Sequence, residues 1–338
     1  MNAQQIVTPT VSILIPVYNR KQYLSECIQS ALNQTFTDFE IVLVDNASTD
    51  GTWELCKQFA ARDSRVRIFR NETNLGPVRN WRRCAEEARG RFAKLLFSDD
   101  LLLPDCLMVM VAELADPAVS FVYCAARIGD TLETATLAYF SDRVRFSPVQ
   151  YLAMLVYGDV PASPGAVMIR STDLLENLHL TFPTSTPRAY DKHGAGPDVM
   201  VMLLTGLQYP LVAHVPQALV FFRSHAGSIT ISNLNNQVTH GYRSALAWFI
   251  KKTYGDQYWR DFMIVSWFQS RESTGGWTNP RWFLTEYEGS GTWLELFKVI
   301  GASLGYALFR RALKSHRFIC VKWGILERFD HRLQPQRM

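Results

Sequence analysis

Three short apolar runs, β-branched or aromatic in character, each end in side chains able to hold a nucleotide. Ile15 is followed by Pro16-Val17-Tyr18-Asn19, Val44 by Asp45-Asn46-Ala47-Ser48-Thr49-Asp50-Gly51, and Phe97 by Ser98-Asp99-Asp100. Together they supply an aromatic ring, several amides and at least three carboxylates. A ring can stack on a base, while amides and carboxylates accept hydrogen bonds from base N–H groups and ribose hydroxyls. Mg²⁺ or Mn²⁺ is bound by one or two carboxylates, with phosphate oxygens and water completing the shell. The adjacent Asp99 and Asp100 repel one another, and a cation relieves that repulsion. Plainer roles stay open: Asp50 suits a helix cap or turn, Asp99-Asp100 could cap the next segment, and Tyr18 could be a partly buried ring.

The elements that must position these clusters follow from the hydrophobic period. Val11–Ile15, Ile41–Val44, Val66–Phe69 and Phe92–Phe97 read as strands. Lys21–Leu32, Thr52–Ala61 and Val78–Ala88 carry apolar residues at helical spacing. Strand and helix alternating at this rhythm predict a parallel sheet covered on both faces, with ligands beyond the carboxyl ends of its strands. All three clusters then fall on one edge. Further on, Cys106–Leu114 and Val199–Leu204 read as helices, and Ser120–Cys124, Ala166–Ile169 and Leu219–Phe222 as strands. The stretch up to Ser147 reads as turn-rich, and residues after Val238 as helices only.

With 338 residues, the chain has room for a large core and a second module. Charge is divided unevenly: residues 1–237 carry 20 basic and 23 acidic side chains, and residues 238–338 carry 15 and 8. A net charge of +4 gives no reason to expect nucleic acid. No G-x-G-x-x-G follows the first strand and no G-x-x-x-x-G-K-[ST] is present, which argues against dinucleotide oxidoreductases and P-loop NTPases. The six cysteines form no C-x-x-C pair, and most fall in apolar segments, as buried thiols of a reducing compartment would. The N-terminus has neither a charged nor an apolar leader region, so a cytoplasmic location is expected.

Taken in order, S-I-L-I-P-V-Y-N-R (12–20), S-A-L-N-Q-T (30–35), D-F-E-I-V-L-V-D-N-A-S-T-D-G-T (38–52), N-L-G-P-V-R-N-W (74–81) and S-D-D-L-L-L-P (98–104) resemble the nucleotide-binding half of an inverting family 2 glycosyltransferase. The resemblance implies a GT-A fold: a Rossmann-like, mainly parallel central sheet with helices on both faces, here followed by a C-terminal helical region. It divides the chain into a nucleotide-sugar half (1–125), an acceptor and catalytic half (126–237) and a basic, aromatic-rich tail (238–338). By the same resemblance Tyr18 flanks the base, Pro16 and Val17 shape that wall with Asn19 beside them, and Asp45 and Asn46 face the base. Arg79 approaches the nucleotide, Asp99 the ribose, and Asp100 binds the metal that bridges the diphosphate. Arg79 could equally be a solvated charge on a helix face. A UDP-sugar is the first expectation for the donor, but many relatives have two acids where Asp45-Asn46 stands, which leaves other bases open.

In the second half, Gly196-Pro197-Asp198-Val199-Met200 stands where relatives carry the catalytic carboxylate. Asp198 is therefore the candidate base, with Asp191 as the fallback. Pro-Asp before an apolar run is also a good helix start. Phe222-Arg223-Ser224-His225 resembles the family's R-x-H segment, which would bring His225 to the metal or diphosphate with Arg223 close by. The implied reaction is a single displacement from a nucleotide-sugar to a hydroxyl of a glycan or lipid-linked oligosaccharide, as in surface polysaccharide assembly. The alternative is a module that keeps the nucleotide pocket but has lost catalysis, acting through its C-terminal helices. In the tail, Val299–Phe309 is too short to span a bilayer, yet it precedes Arg310-Arg311, Lys314 and Arg317. That arrangement suits attachment to the anionic inner face of the cell membrane, or an amphipathic helix pair packed on the domain.

Overall fold

A computed structural model describes residues 8–228, 237–274 and 279–287; the basic segment after residue 287, with Cys320, lies outside the described residues. The first four strands are β1 (Val11–Val17), β2 (Phe39–Asp45), β3 (Val66–Arg70) and β4 (Phe92–Leu95). Between them lie α1 (Lys21–Leu32), α2 (Thr52–Arg62) and α3 (Pro77–Glu87). They pair in parallel in the order β3-β2-β1-β4. Every residue of β1 and β2 is buried, as a sheet covered on both sides requires. Alternate side chains feed two cores. Leu14, Val42, Val44 and Leu95 face one side with Trp81 and Cys84 of α3; Ile13, Ile15, Ile41 and Leu43 face the other with Leu24 and Ile28 of α1.

Pro16 lies inside β1, where a missing N–H would ordinarily break a ladder. Pairing of β1 with β4 ends at Leu14 and Leu95, so at Pro16 only the β2 side still pairs. The fourth strand is correspondingly shorter than the expected Phe92–Phe97. At the opposite end of the sheet, Ser12 Oγ donates to Glu40 Oε1 (2.6 Å) and accepts from the Gly90 N–H (2.8 Å). Arg67 pairs with the other oxygen of the buried Glu40 at 2.8 Å.

The second half is more mixed than the sequence reading expected. It contains β5 (Leu101–Leu102), α4 (Cys106–Leu114), β6 (Val119–Gly129), β7 (Thr136–Ala138), β8 (Arg145–Phe146), α5 (Pro148–Tyr157), β9 (Val167–Arg170), α6 (Ser171–Asn177), α7 (Tyr190–His193), α8 (Pro197–Gly206) and β10 (Leu211–Arg223). β9 runs antiparallel between β4 and β6, while β6 and β10 are parallel. The segment read as turn-rich contributes β7 and β8, which pair with β6 and β10. β10 begins eight residues before the predicted start, at Leu211 rather than Leu219. Hydrophobic period identifies a strand, but its direction depends on the side from which the chain enters the sheet. Most of α8 is buried around its whole circumference, the pattern of a core helix.

Three further helices, α9 (Gln237–Tyr254), α10 (Asp256–Thr274) and α11 (Pro280–Glu286), complete the described chain. Phe249, Trp259, Phe283 and Tyr287 join the same core as α3 and α8. Among the described residues no helix is long and apolar enough to cross a membrane. Cys27, Cys56, Cys84, Cys106 and Cys124 are buried free thiols; burial pushes those of Cys56 and Cys124 up to about 12.

Candidate functional site

A cavity of about 890 Å³ opens beyond the carboxyl ends of the parallel strands. From the first strand and its loop come Pro16, Val17, Tyr18 and Arg20. Ser98, Asp99 and Asp100 follow β4, while Asp191, His193 and Asp198 come from the α7–α8 region. Tyr18 is 42% exposed, so its ring is free to cover a planar ligand. The expected convergence of the first and third clusters with Asp198 on one cavity is therefore what the fold produces.

Asn46 of the second cluster lines the cavity as well, but the polar groups of that cluster are engaged within the protein. Asp45 is fully buried and pairs with Arg70 Nε at 3.1 Å while accepting from the Ser48 N–H. Asn46 has spent its amide inside the protein. Its Oδ1 accepts from Asn71 Nδ2 (2.9 Å) and the Leu75 N–H (3.0 Å), and its Nδ2 donates to Asn74 Oδ1 and the Gly76 carbonyl. This network fixes the loop that carries Asn74, Leu75 and Gly76 into the cavity wall. Asn19, at a left-handed φ of 48°, ties two loops together: its N–H donates to Ser48 Oγ and its Oδ1 accepts from the Thr49 N–H. Asp50 accepts from the N–H and hydroxyl of Thr52, which is the helix-start role left open for it. Arg79 is exposed on α3, and it is Pro77, Asn80 and Trp81 of that helix that line the cavity.

Asp100 is only 7% exposed, and one of its oxygens accepts from the Arg223 N–H at 3.0 Å. Burial, then the neighbouring Asp99, push its carboxyl well above the usual range. Asp99 Oδ2 meets His225 Nε2 at 2.9 Å and Arg20 Nε at 3.5 Å. The Gly227 N–H donates to His225 Nδ1, which assigns the ring proton to Nε2 and engages both nitrogens. His225 thus stands against Asp99, next in sequence to Asp100. Arg223 also lines the cavity, and its guanidinium is engaged within the protein, donating to Glu26 Oε2 (2.6 Å) and the Asp99 carbonyl (3.1 Å). Arg20, which the sequence reading did not single out, reaches the cavity; the Asn-Arg that follows Tyr18 was the available signal.

Asp198 lies in the first turn of α8 and is 6% exposed. Its Oδ1 accepts from the N–H groups of Gly196 (2.8 Å) and Val199 (2.7 Å), and its Oδ2 accepts from the hydroxyl of Tyr242 on α9 (2.6 Å). Burial outweighs these three bonds and raises its pKa to about 7. Asp191 lines the same cavity from α7. The loop between the two acids is held by close backbone packing. Gly194 has φ +76°, and a Cβ there would stand 2.2 Å from the Trp81 ring. Gly194→Ala is expected to cost about 2–4 kcal/mol of stability, read by urea unfolding, from backbone strain and overpacking together. An unchanged midpoint would mean that the loop is not fastened to Trp81.

Residues 12–177 match the model of Glycosyl transferase family 2. The putative glycosyltransferase EpsH of Bacillus subtilis is 36% identical over 130 residues, covering 38% of this chain and 37% of EpsH. Chondroitin synthase of Escherichia coli is 38% identical over 121 residues, covering 35% of this chain and 17% of the synthase. The chain spans about two fifths or less of the length of the curated relatives it matches. In three dimensions, S. aureus TarS 1-349, crystallised with UDP-GlcNAc, aligns with a TM-score of 0.63 at 17% identity, covering 82% of this chain and 81% of that one. By its sequence match and its sheet, the protein is a GT-A protein carrying a glycosyl transferase family 2 domain. Asp198, His225 and Tyr242 all lie beyond the matched segment.

Proposed function

We propose that the protein transfers a sugar, with inversion, from a nucleotide-sugar to a hydroxyl of a glycan or lipid-linked oligosaccharide in polysaccharide assembly. The observation that carries this reading is that the Asp99–Asp100 pair and Asp198 open on one cavity beside an exposed tyrosine ring. Tyr18 flanks the base and Pro16 and Val17 form the wall next to it. Asp198 takes the proton of the acceptor hydroxyl as that oxygen attacks the anomeric carbon and the bond to the diphosphate breaks. A polysaccharide product agrees with the chondroitin and hyaluronan synthases among the relatives. We put a UDP-sugar first as donor; Asn46, with its amide saturated internally, is not the group that selects the base.

The residues present fit a divalent cation. Asp100 offers a hard carboxylate, and its buried position beside a second carboxylate is one that a cation would relieve. Asp100, with Asp99, would hold Mg²⁺ or Mn²⁺; His225 joins only if its bond to Asp99 opens. Such an ion, when bound, offsets the negative charge that builds on the departing diphosphate.

A thermal-shift panel of nucleotide-sugars with and without Mn²⁺, followed by a transfer assay on the best donor, tests the reading. Ligands that bind only the folded chain raise its melting temperature. Donor binding with neither transfer nor donor hydrolysis would favour the catalytically inactive module instead. A base must be ionised to act, so with Asp198 at about 7, kcat/KM is expected to rise tenfold per pH unit below that value and level off above it. A flat profile from pH 5.5 to 8.5 would remove Asp198 as the base.

A further inference from the structure

The geometry points to Tyr242 as a positioning residue for Asp198, one that orients the carboxylate and favours its ionised form. For the reaction this rests on the reading of Asp198 as the base. The hydroxyl of Tyr242 donates to Asp198 Oδ2 at 2.6 Å, within the range of charge-assisted O–H···O⁻ bonds, and both residues line the cavity. Backbone N–H groups at the start of α8 fix the other oxygen, Oδ1. Tyr242 therefore sets the direction of the oxygen that is left for chemistry. A carboxylate oxygen can accept more than one hydrogen bond, so Oδ2 keeps capacity for an acceptor hydroxyl.

The placement of Tyr242 is built into the fold. The preceding residue, Gly241, packs so closely that a Cβ there would lie 2.4 Å from the Ala195 carbonyl oxygen and 2.8 Å from the His193 ring. The backbone of α9 thus rests directly on the loop that leads into Asp198. Tyr242 stays a donor, because burial and the Asp198 charge hold its phenol well above the ordinary value.

Other titratable groups that act on Asp198 or share its part of the cavity are Tyr151 on α5, Tyr139 after β7, and Asp191, Lys192 and His193 on α7. Tyr151 gives its hydroxyl to the Pro161 carbonyl, and His193 Nδ1 accepts from the Ala195 N–H. Among the described residues, Tyr242 is the one side chain hydrogen-bonded to Asp198. The C-terminal helices, which lie outside the family match, therefore supply part of the site.

Tyr242→Phe keeps the ring and removes only the hydroxyl. Losing a hydrogen bond to the charged form should move the ascending limb of the kcat/KM profile to higher pH by about one unit or more, with most activity recovered above the limb. A second measurement does not depend on activity. In aspartate ¹³C-labelled protein, with the Asp198 carboxyl signal assigned by its loss in Asp198→Asn, the titration midpoint should rise by the same amount in Tyr242→Phe. A uniform fall in rate at every pH with an unmoved NMR midpoint would overturn the proposal and leave Tyr242 as packing. An unmoved limb and an unmoved midpoint would overturn it as well. If the midpoint moves but Asp198→Asn is fully active, the hold of Tyr242 on Asp198 stands and the assignment of Asp198 as base fails.

Discussion

Asp198→Asn is expected to lower the transfer rate by roughly 10²–10⁴-fold, the scale of general-base catalysis, while donor affinity stays close to wild type. The substitution preserves shape. The amide oxygen of asparagine can still accept from the Gly196 and Val199 N–H groups, so the start of α8 keeps its hydrogen bonds. At about pH 4, where the folded Asp198 still holds its proton, stability should change by less than about 1 kcal/mol, as for exchange among good capping residues. The pH dependence has a definite sign. The folded-state value, about 7, lies above the ordinary carboxylate value, so the unfolded chain gives up this proton first. Wild-type stability should therefore fall as pH rises from about 4 through 7, and this part of the fall should be missing in the Asn variant. Asp191→Asn serves as the parallel control, because Asp191 lines the same cavity. Full activity in Asp198→Asn with loss in Asp191→Asn would move the base to Asp191.

Asp100→Ala should abolish the Mn²⁺-dependent part of donor binding, measured by calorimetry with and without the cation. Asp99→Ala should weaken it less. The difference follows from how the two carboxylates are engaged. Asp99 already meets His225 and Arg20, whereas among the described residues Asp100 has only the Arg223 N–H as its hydrogen-bond donor and stands beside a like charge. Asp100→Ala also removes a buried charge that burial disfavours, so loss of binding need not come with loss of folding. Circular dichroism on the same sample separates the two. Unchanged cation-dependent affinity in a folded Asp100→Ala protein would remove the metal from this site.

What the sequence by itself determined is the local pattern and everything that follows from it. Short apolar runs alternating with helical spacing gave β1 through β4 and their helices, because both patterns are properties of neighbouring residues. Punctuation after β1 and β4 placed Tyr18 and Asp99-Asp100 on one edge, because parallel strands joined by helices all end on the same side. The motif order carried the resemblance to the glycosyltransferase family whose model matches residues 12–177, and that resemblance made Asp198 the candidate base. Tertiary structure decided the rest. Whether an amide or guanidinium is available to a ligand depends on distant partners: Asn46 is saturated by Asn71, Asn74 and the backbone around Gly76, and Arg223 is drawn to Glu26 across 197 residues of chain. The antiparallel course of β9 depends on where the chain re-enters the sheet, which no local period encodes. Tyr242 reaches Asp198 from 44 residues away because Gly241 lets α9 lie against the Ala195 carbonyl, a contact between two backbones that leaves its mark in the sequence only as a glycine.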